Sequence, residues 1–259
     1  MINKIIPYPG FKGSFAKSIT KHFPKHKIYV EPFVGALGII LNKKQSNIEI
    51  INDLNGELIN LYQVIKYNKD DLKTFFNLSL NSRAHFKLLK RQEDLSNVMK
   101  AYRTMYLRYN SLNGNAHSFI SHDKNYISFD KIIDRIEKTH ERLRNVNIEN
   151  RDYSKIIEMN NKKDTLHYLD PPYFETDNTG YSHKAMNLEK FLEVLKSIKG
   201  NFILSHTRFE AFDKEFESLV IGNRLTNNYK TSANKNAKPR AIEEVIYSNF
   251  KLNKEKPLF

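Results

Sequence analysis

The stretch DTLHYLDPPY, residues 164–173, is the clearest indication of both the fold and the kind of ligand that the protein binds. Its apolar first half predicts a buried strand, so the tetrapeptide Asp170-Pro171-Pro172-Tyr173 follows at the carboxyl end of that strand. Ligands of open α/β sheets bind at that edge. An aspartate oxygen and a proline carbonyl accept hydrogen bonds from an exocyclic amine, and a tyrosine ring can stack on a planar base. The tetrapeptide therefore suits a flat aminated heterocycle, and a rigid turn that only ends the strand is the alternative.

Strands and helices alternate on both sides of this stretch. Apolar runs bounded by turn residues predict further strands, and helical spacing of apolar residues predicts amphipathic helices. The predicted strands are 27–33, 48–51, 146–149, 201–205 and 242–250, and the predicted helices are 14–22, 38–43, 55–66, 187–199 and 209–217. This order predicts an α/β fold, a parallel sheet with helical crossovers.

The pattern changes between residues 68 and 145, where the chain becomes mostly helical, basic and aromatic and no alternating strand is evident. We interpret this block as an inserted domain, with residues 1–67 and 146–259 forming the domain that contains the sheet. A second polar and basic stretch, residues 226–241, has no pattern of core-facing apolar residues and predicts a mobile loop.

The composition restricts the classes of function. The chain of 259 residues carries a net charge of +13 and is 40% hydrophobic, so it can bury a sizeable core and suits a polyanionic partner. A lysine- and asparagine-rich composition spread along the whole chain is the alternative explanation of that charge. The absence of cysteine excludes disulfides, thiolate zinc sites and cysteine nucleophiles. No apolar run approaches the roughly 18 residues of a membrane span, and no signal-peptide core is present, so we expect a cytoplasmic protein without a membrane contact.

Two acidic positions near the start of the sheet suggest a nucleoside site. The loop EPFVGALG, residues 31–38, follows one strand, and Asp53 ends the next strand. An acid at that place commonly accepts hydrogen bonds from ribose hydroxyls, although a helix-capping role is the alternative. Asp152 follows the third strand and could receive the adenine amine of the same ligand. The loop lacks the third glycine of a dinucleotide fingerprint.

Taken in order, these segments resemble the Dam-type (class alpha) DNA adenine-N6 methyltransferases. The resemblance rests on PYPGFKG, VEPFVGALG, INDLNGELINLY, RD and DPPY, with LSHT and EEVIYSNF towards the end, and it spans essentially the whole chain. It implies a Rossmann-like methyltransferase sheet with S-adenosylmethionine as cofactor. It also implies that the mainly helical block 68–145 is a target-recognition domain and that the product is an N6-methylated adenine in double-stranded DNA.

The resemblance assigns residues to three sets. The catalytic set, which would hold a flipped adenine of a short site (GATC or another sequence), is Asp170, Pro171, Pro172 and Tyr173. The cofactor set is Tyr8, Gly10, Lys12, Glu31, Phe33, Gly35, Asp53, Asp152, Tyr153 and Asp170. The DNA-contacting set is Arg108, Tyr109, Asn113, Asn115, His117, Lys230, Lys235, Lys238 and Arg240. Arg108, Tyr109 and Asn113 resemble the family's recognition segment, and the others are suggested by residue type. A surface salt bridge is the alternative for Arg108, and a solvated segment is the alternative for the basic loop.

The chain departs from the family pattern at a few places. Leu37 replaces the usual last glycine of the cofactor loop, His117 stands near the position of a basic residue, and a Phe-Asn-Val-Pro segment is missing. These departures support an inactive DNA-binding regulator as one alternative. An RNA adenine methyltransferase is the nearest alternative enzyme, and a protein glutamine methyltransferase is disfavoured because such enzymes usually carry asparagine where Asp170 stands. We expect no metal, a monomer or weak dimer, and, as an option, a restriction endonuclease partner.

Overall fold

The computed structural model describes residues 4–8, 10–111, 114–120, 128–174, 186–226 and 240–253, and at 224–226 and 240 it describes the backbone alone. Within these ranges the strands are β1 (Ile28–Glu31), β2 (Ile48–Asn52), β3 (Val146–Glu149), β4 (Thr165–Leu169), β5 (Asn201–Thr207), β6 (Glu217–Thr226) and β7 (Arg240–Ser248). They form a seven-stranded sheet in the order β3-β2-β1-β4-β5-β7-β6. The predicted α/β, Rossmann-like fold is confirmed.

The first five strands in this order are parallel, and β7 runs antiparallel between β5 and β6. The chain passes from β1 to β2 on one side, whereas β4 lies on the other side of β1. Such a reversal of strand order opens a crevice beyond the carboxyl ends of the neighbouring strands. The carboxyl ends of β1 and β4 therefore mark the place where a ligand is expected.

The described helices begin with a 3-10 turn, Lys12–Phe15, and α1, Ala16–Thr20. The remaining helices are α2 (Gly56–Tyr67), α3 (Lys69–Asn77), α4 (Arg83–Arg91), α5 (Asn97–Tyr109), α6 (Phe129–Leu143), α7 (Tyr153–Met159), α8 (Leu188–Ser197) and α9 (Glu210–Asp213). The side chain of Asn55 accepts hydrogen bonds from the N–H groups of Glu57 and Leu58, so α2 begins with an asparagine cap.

Alternate residues of the strands face two apolar layers, as the period of two in a strand requires. Tyr29 belongs to the apolar cluster that includes buried residues of α2–α6, whereas Val30 belongs to the cluster that includes buried residues of α7 and α8. Buried residues of α3–α6 belong to the same apolar cluster as Tyr62 of α2. The described part of residues 68–145 is thus mainly helical and shares its core with the sheet, and its assignment as a target-recognition domain stays a prediction.

A buried ion cluster also joins the helical block to the sheet. Glu49 of β2 accepts hydrogen bonds from Arg142 of α6 at 2.5 and 2.8 Å and pairs with Lys43 at 2.5 Å. Burial raises the pKa of Glu49, but the bonds from Arg142 and Lys43 lower it by more, so the pKa lies below the usual range. The carboxylate therefore stays ionised between two cations.

Two local predictions were wrong. Residues 38–43 form turns instead of a helix. Just before them the backbone has positive φ at Gly35 and Leu37, and the carbonyl of Val34 accepts the N–H of Leu37 in a tight turn. This turn interrupts the helical conformation at the place where the predicted helix would begin. The helix predicted over 209–217 is limited to α9, and β6 follows it. This strand lies at the edge of the sheet, half-exposed and interrupted by a register shift near Gly222, so its sequence lacks a clear alternation.

Candidate active site

The tetrapeptide after β4 meets a lysine from the start of the chain. The Nζ atom of Lys12 lies 3.2 Å from Oδ1 of Asp170 and donates a hydrogen bond to the hydroxyl of Tyr173. The same ammonium lies 4.8 Å from the centroid of the Tyr173 ring. Lys12 is buried, so the fold places a paired charge inside the protein beside the two polar residues of the tetrapeptide.

The hydroxyl of Tyr173 in turn donates a hydrogen bond to Oε2 of Glu244 at 3.0 Å, and the same oxygen lies 3.5 Å from Nζ of Lys12. Burial lowers the pKa of Lys12, but Asp170, Tyr173 and Glu244 together raise it by more, so this pKa lies above the usual lysine range. Burial, followed by the Asp170 carboxylate, raises the pKa of the Tyr173 hydroxyl above its usual range. The lysine therefore stays charged and the tyrosine stays protonated near neutral pH.

Glu31, the last residue of β1, is a buried acid at the same edge of the sheet. The hydroxyl of Tyr29 donates a hydrogen bond to its Oε2 atom at 2.8 Å. Burial raises the pKa of Glu31 to about 8, and the Tyr29 hydroxyl opposes part of that rise. Burial disfavours the ionised form of Glu31, and a cation bound next to the carboxylate would stabilise that ionised form.

The loop after β1 is fastened to the end of β2. Oδ2 of Asp53 accepts the N–H of Gly35 at 3.0 Å, and Oδ1 accepts the N–H of Asn55 at 2.9 Å. The hydroxyl of Tyr62 donates to the carbonyl of Gly35. Gly35 has φ +47, and the ring of Tyr8 lies 3.8 Å from the place where a Cβ would be. The tight turn thus depends on a glycine and on the carboxylate of Asp53.

The ends of β1, β2 and β3 are joined by the amide of Asn52. Its Nδ2 donates to the carbonyls of Pro32 and Arg151 at 2.9 and 3.0 Å, and its Oδ1 accepts the N–H of Arg151 at 2.8 Å. Next to Arg151, Asp152 caps α7 by accepting the N–H of Ser154. The predicted adenine-binding acid therefore has a structural role in the chain as folded.

Two aromatic side chains from the cofactor set are neighbours. The rings of Phe33 and Tyr153 have centroids 5.3 Å apart, on the side of the sheet that α7 and α8 cover. Gly10 has φ +74 and is exposed, between Tyr8 and the 3-10 turn that contains Lys12. The predicted cofactor residues thus lie on segments that meet at the carboxyl edge, and their roles stay predictions.

The predicted DNA-contacting residues of the helical block differ in their surroundings. The guanidinium of Arg108 lies over the ring of Tyr8 and donates to the carbonyl of Gly114 at 3.0 Å. The hydroxyl of Tyr109 donates to the carbonyl of Ile5 at 2.7 Å. Both side chains thus bind the N-terminal segment. Asn115 and His117 are exposed, with the Asn115 amide oxygen accepting the N–H of His117.

The remaining members of that set lie largely beyond what the structure covers. Asn113, Lys230, Lys235 and Lys238 are outside the described residues, and Arg240 is described only in its backbone, as the first residue of β7. Their predicted contacts with DNA stay predictions.

Sequence reasoning missed Glu244 and gave His206 no role. Nδ1 of His206 lies 2.9 Å from the Thr207 carbonyl, and Nε2 accepts the N–H of Phe174 at 3.4 Å. Burial lowers the pKa of His206 to about 4, so the ring is neutral. It lies with its centroid 4.5 Å from that of Tyr173. The sequence held a partial signal for Glu244: adjacent glutamates in a strand face opposite sides of the sheet, but that pattern does not show which of them lies at the site.

The described ranges were also searched for two other features. They contain no group of three or more histidine, aspartate or glutamate side chains that could hold a metal ion. Among the same residues, no helix combines the length and the apolar character that crossing a membrane requires.

Comparison with known proteins gives a consistent result. A family model described as "D12 class N6 adenine-specific DNA methyltransferase" matches residues 8–237. The chain is 27% identical over 255 residues to "Type II methyltransferase M1.LlaDCHI" of Lactococcus lactis subsp. cremoris, covering 87% of each chain. It is 30% identical over 220 residues to the "DNA adenine methylase" of Haemophilus influenzae, covering 75% of this chain and 74% of the relative. A "DNA adenine methylase" of Serratia marcescens is 32% identical over 117 residues, 42% of each chain.

Proposed function

Because the chain belongs to the D12 class of N6 adenine-specific DNA methyltransferases, we propose that it transfers a methyl group from S-adenosylmethionine to an adenine that is flipped out of a short duplex site. The membership itself makes the protein an enzyme that methylates adenine in DNA. The proposal adds the donor, the flipping of the base and the roles of individual residues. The single observation that carries it is the convergence of Lys12, Asp170 and Tyr173 at the carboxyl edge of β4.

The residues at the edge fit S-adenosylmethionine by their chemistry. Glu31 is a buried acid whose ionised form would be stabilised by a cationic ligand. The glycine at the Gly35 turn allows the backbone to approach a bound ligand closely. The carboxylate of Asp53 accepts the N–H groups of Gly35 and Asn55 at the end of β2, and a carboxylate there is an acceptor suited to ribose hydroxyls. Phe33 and Tyr153 offer adjacent aromatic faces for an adenine ring. When bound, the cofactor supplies an electrophilic methyl group.

The residues after β4 would prepare the attacking amine. The lone pair of an adenine amine is delocalised into the ring, so the amine is a weak nucleophile. Hydrogen bonds from the amine to Asp170 and to the carbonyl of Pro171 would favour a pyramidal nitrogen and stabilise its developing positive charge. Orientation of the amine towards the donor would supply about 7–11 kcal/mol of the acceleration in a well-aligned complex. Removing the adenine from the duplex costs roughly a few kcal/mol, and stacking of the adenine ring on Tyr173 would offset part of that cost.

Duplex DNA is the substrate to which the charge of the chain is suited, since the net charge is +13. Exposed Asn115 and His117 of the helical block are the described candidates for contacts to base edges. The recognised sequence would be GATC or another short site. One relative carries the name of a type II methyltransferase, which supports a restriction endonuclease as partner.

The experiment that tests the proposal is transfer of labelled methyl groups from S-adenosylmethionine to unmethylated genomic DNA, followed by sequencing that maps N6-methyladenine. We expect incorporation at one short motif. Labelled RNA in a parallel reaction tests the alternative substrate. Incorporation into neither would contradict the proposal and favour an inactive regulator.

Two variants make the result specific. Asp170→Ala should abolish transfer and leave cofactor affinity near normal, because Asp170 is proposed to bind the target amine. Asp164→Ala is the control, since Asp164 lies just before the other end of β4, is 44% exposed and pairs with exposed Lys27 at 4.0 Å. Loss of cofactor binding in folded Asp170→Ala would instead assign Asp170 to the donor site.

A further inference from the structure

Glu244 is a buried acid beside the proposed methyl-transfer site. It pairs in register with Thr207 on β5, so it lies at the carboxyl edge of the parallel strands although β7 runs the other way. Its side chain is fully buried. Burying a carboxylate is expensive unless charged and hydrogen-bonding partners compensate. Its partners include Lys12, at 3.5 Å, and the hydroxyl of Tyr173, at 3.0 Å.

The arrangement places one ammonium between two acids. Lys12 lies 3.2 Å from Asp170 on one side and 3.5 Å from Glu244 on the other. With all three groups ionised, the cluster carries one net negative charge. Without Glu244, the charge of Lys12 would neutralise that of Asp170, and the acid would stabilise a positive charge on a bound amine less well.

We propose that Glu244 is a positioning residue for methyl transfer, which acts by holding Lys12 and offsetting its charge so that Asp170 faces the target amine as an effective anion. The hydrogen bond from Tyr173 keeps the Glu244 carboxylate in place. Neutral His206 packs against the Tyr173 ring and adds no competing charge. The inference rests on the proposed function, because it assumes that Asp170 receives the amine.

The test compares two adjacent glutamates of β7. Glu244→Gln keeps the shape and an oxygen that accepts the Tyr173 hydroxyl, and it removes the charge. Glu243→Gln is the matched control, since Glu243 is 48% exposed and pairs with Arg208 at 2.8 Å on the outer surface. The measurements are the single-turnover rate on DNA at saturating cofactor, the affinities for cofactor and DNA, and circular dichroism.

We expect Glu244→Gln to lower the single-turnover rate about 10- to 100-fold with near-normal affinities, and Glu243→Gln to stay within about twofold of the wild type. A folded Glu244→Gln variant within about threefold of the wild-type rate would overturn the inference. If Glu244→Gln does not fold, the double variant with Lys12→Met removes both charges and is compared with Lys12→Met alone.

The double variant also tests the route of the effect. If Glu244 acts through Lys12, adding Glu244→Gln to Lys12→Met should change the rate by less than about threefold, because interacting residues are not additive. Effects that multiply would overturn the proposed route. Methyl transfer by the wild-type chain tests the proposed function separately. If the wild type transfers no methyl group, the proposed function and the role of Glu244 are both contradicted. If the wild type is active and Glu244→Gln has the same rate, only the role of Glu244 is contradicted.

Discussion

The guanidinium of Arg108 lies over the ring of Tyr8, with 4.9 Å between its central carbon and the ring centroid. Arg108 is on α5 of the helical block, and Tyr8 belongs to the N-terminal segment and has its ring 3.8 Å from where a Cβ of Gly35 would be. The hydroxyl of Tyr109 and the guanidinium of Arg135 bind carbonyls of the same segment, at Ile5 and Lys4. The block proposed to recognise DNA therefore holds the segment that leads to Lys12.

This contact predicts that Arg108→Ala weakens cofactor binding even without DNA. Loss of a partly buried cation–π contact and of the bond to Gly114 costs on the order of 1–2 kcal/mol, so we expect an affinity about 5- to 30-fold lower. Titration calorimetry with S-adenosylmethionine measures it. Arg144→Ala is the control, because Arg144 is 64% exposed and pairs with exposed Glu141 at 3.3 Å, one helical turn earlier in the chain. If Arg108→Ala binds the cofactor normally but binds DNA more weakly, the prediction is contradicted and Arg108 contacts DNA directly.

The fold was largely predictable because its strands are short, buried and bounded by polar residues. The predicted strands at 48–51 and 146–149 match β2 and β3 closely, and the tetrapeptide at 170–173 follows β4 as expected. Acids at strand ends must meet at one edge of a parallel sheet, so Glu31, Asp53 and Asp170 could be placed together from the sequence.

Features that depend on tertiary contacts could not be predicted. Edge strand β6 contains a register shift between Val220 and Gly222, which breaks the alternation that reveals a strand. The turns at 38–43 come after positive φ values at Gly35 and Leu37. A leucine rarely adopts a positive φ, so its presence in the sequence does not predict that conformation. Glu244 reaches the site only because β7 lies antiparallel beside β5, a pairing that a sequence does not display.

Asp53→Ala should weaken both the cofactor affinity and the fold. The variant loses a proposed ribose contact and frees the N–H groups of Gly35 and Asn55. We expect a cofactor affinity at least about tenfold lower and a loss of about 1–3 kcal/mol in the free energy of unfolding. Calorimetry and urea unfolding measure the two effects, and Asp134→Ala, at an exposed site on α6, is the control. A destabilised variant with unchanged affinity would leave Asp53 a structural role alone.

The pH dependence of stability should contain a contribution from Glu31. Its pKa rises from 4.5 to about 8 on folding, chiefly through burial. Between these values the folded chain holds a proton that the unfolded chain has released, so the contribution of Glu31 to stability falls as pH rises, by up to about 1.4 kcal/mol per pH unit. Glu31→Gln removes this term. We expect the variant to gain stability relative to the wild type from pH 5 to pH 8 in urea unfolding, and a constant difference would contradict the raised pKa.

Leu37 combines an unfavourable backbone with a buried side chain, so substitutions there separate two opposing effects. Its φ is +63, and its side chain is fully buried in the main apolar cluster. The left-handed conformation costs a leucine roughly 1–2 kcal/mol, whereas removing a buried leucine side chain costs about 2.7–5 kcal/mol. Leu37→Gly should therefore be less stable than the wild type by about 1–4 kcal/mol, since it relieves the strain but loses the packing.

The comparison with Leu37→Ala isolates the backbone effect. Both variants lose nearly the same side chain, but alanine keeps the left-handed strain and glycine does not. Urea unfolding should therefore find Leu37→Gly more stable than Leu37→Ala by about 1 kcal/mol, the reverse of the order at ordinary positions. Because the Gly35 turn that Asp53 fastens lies two residues earlier, we expect the cofactor affinity of Leu37→Gly to stay within about threefold of the wild-type value. An Ala variant more stable than the Gly variant would show that the strain at Leu37 is small.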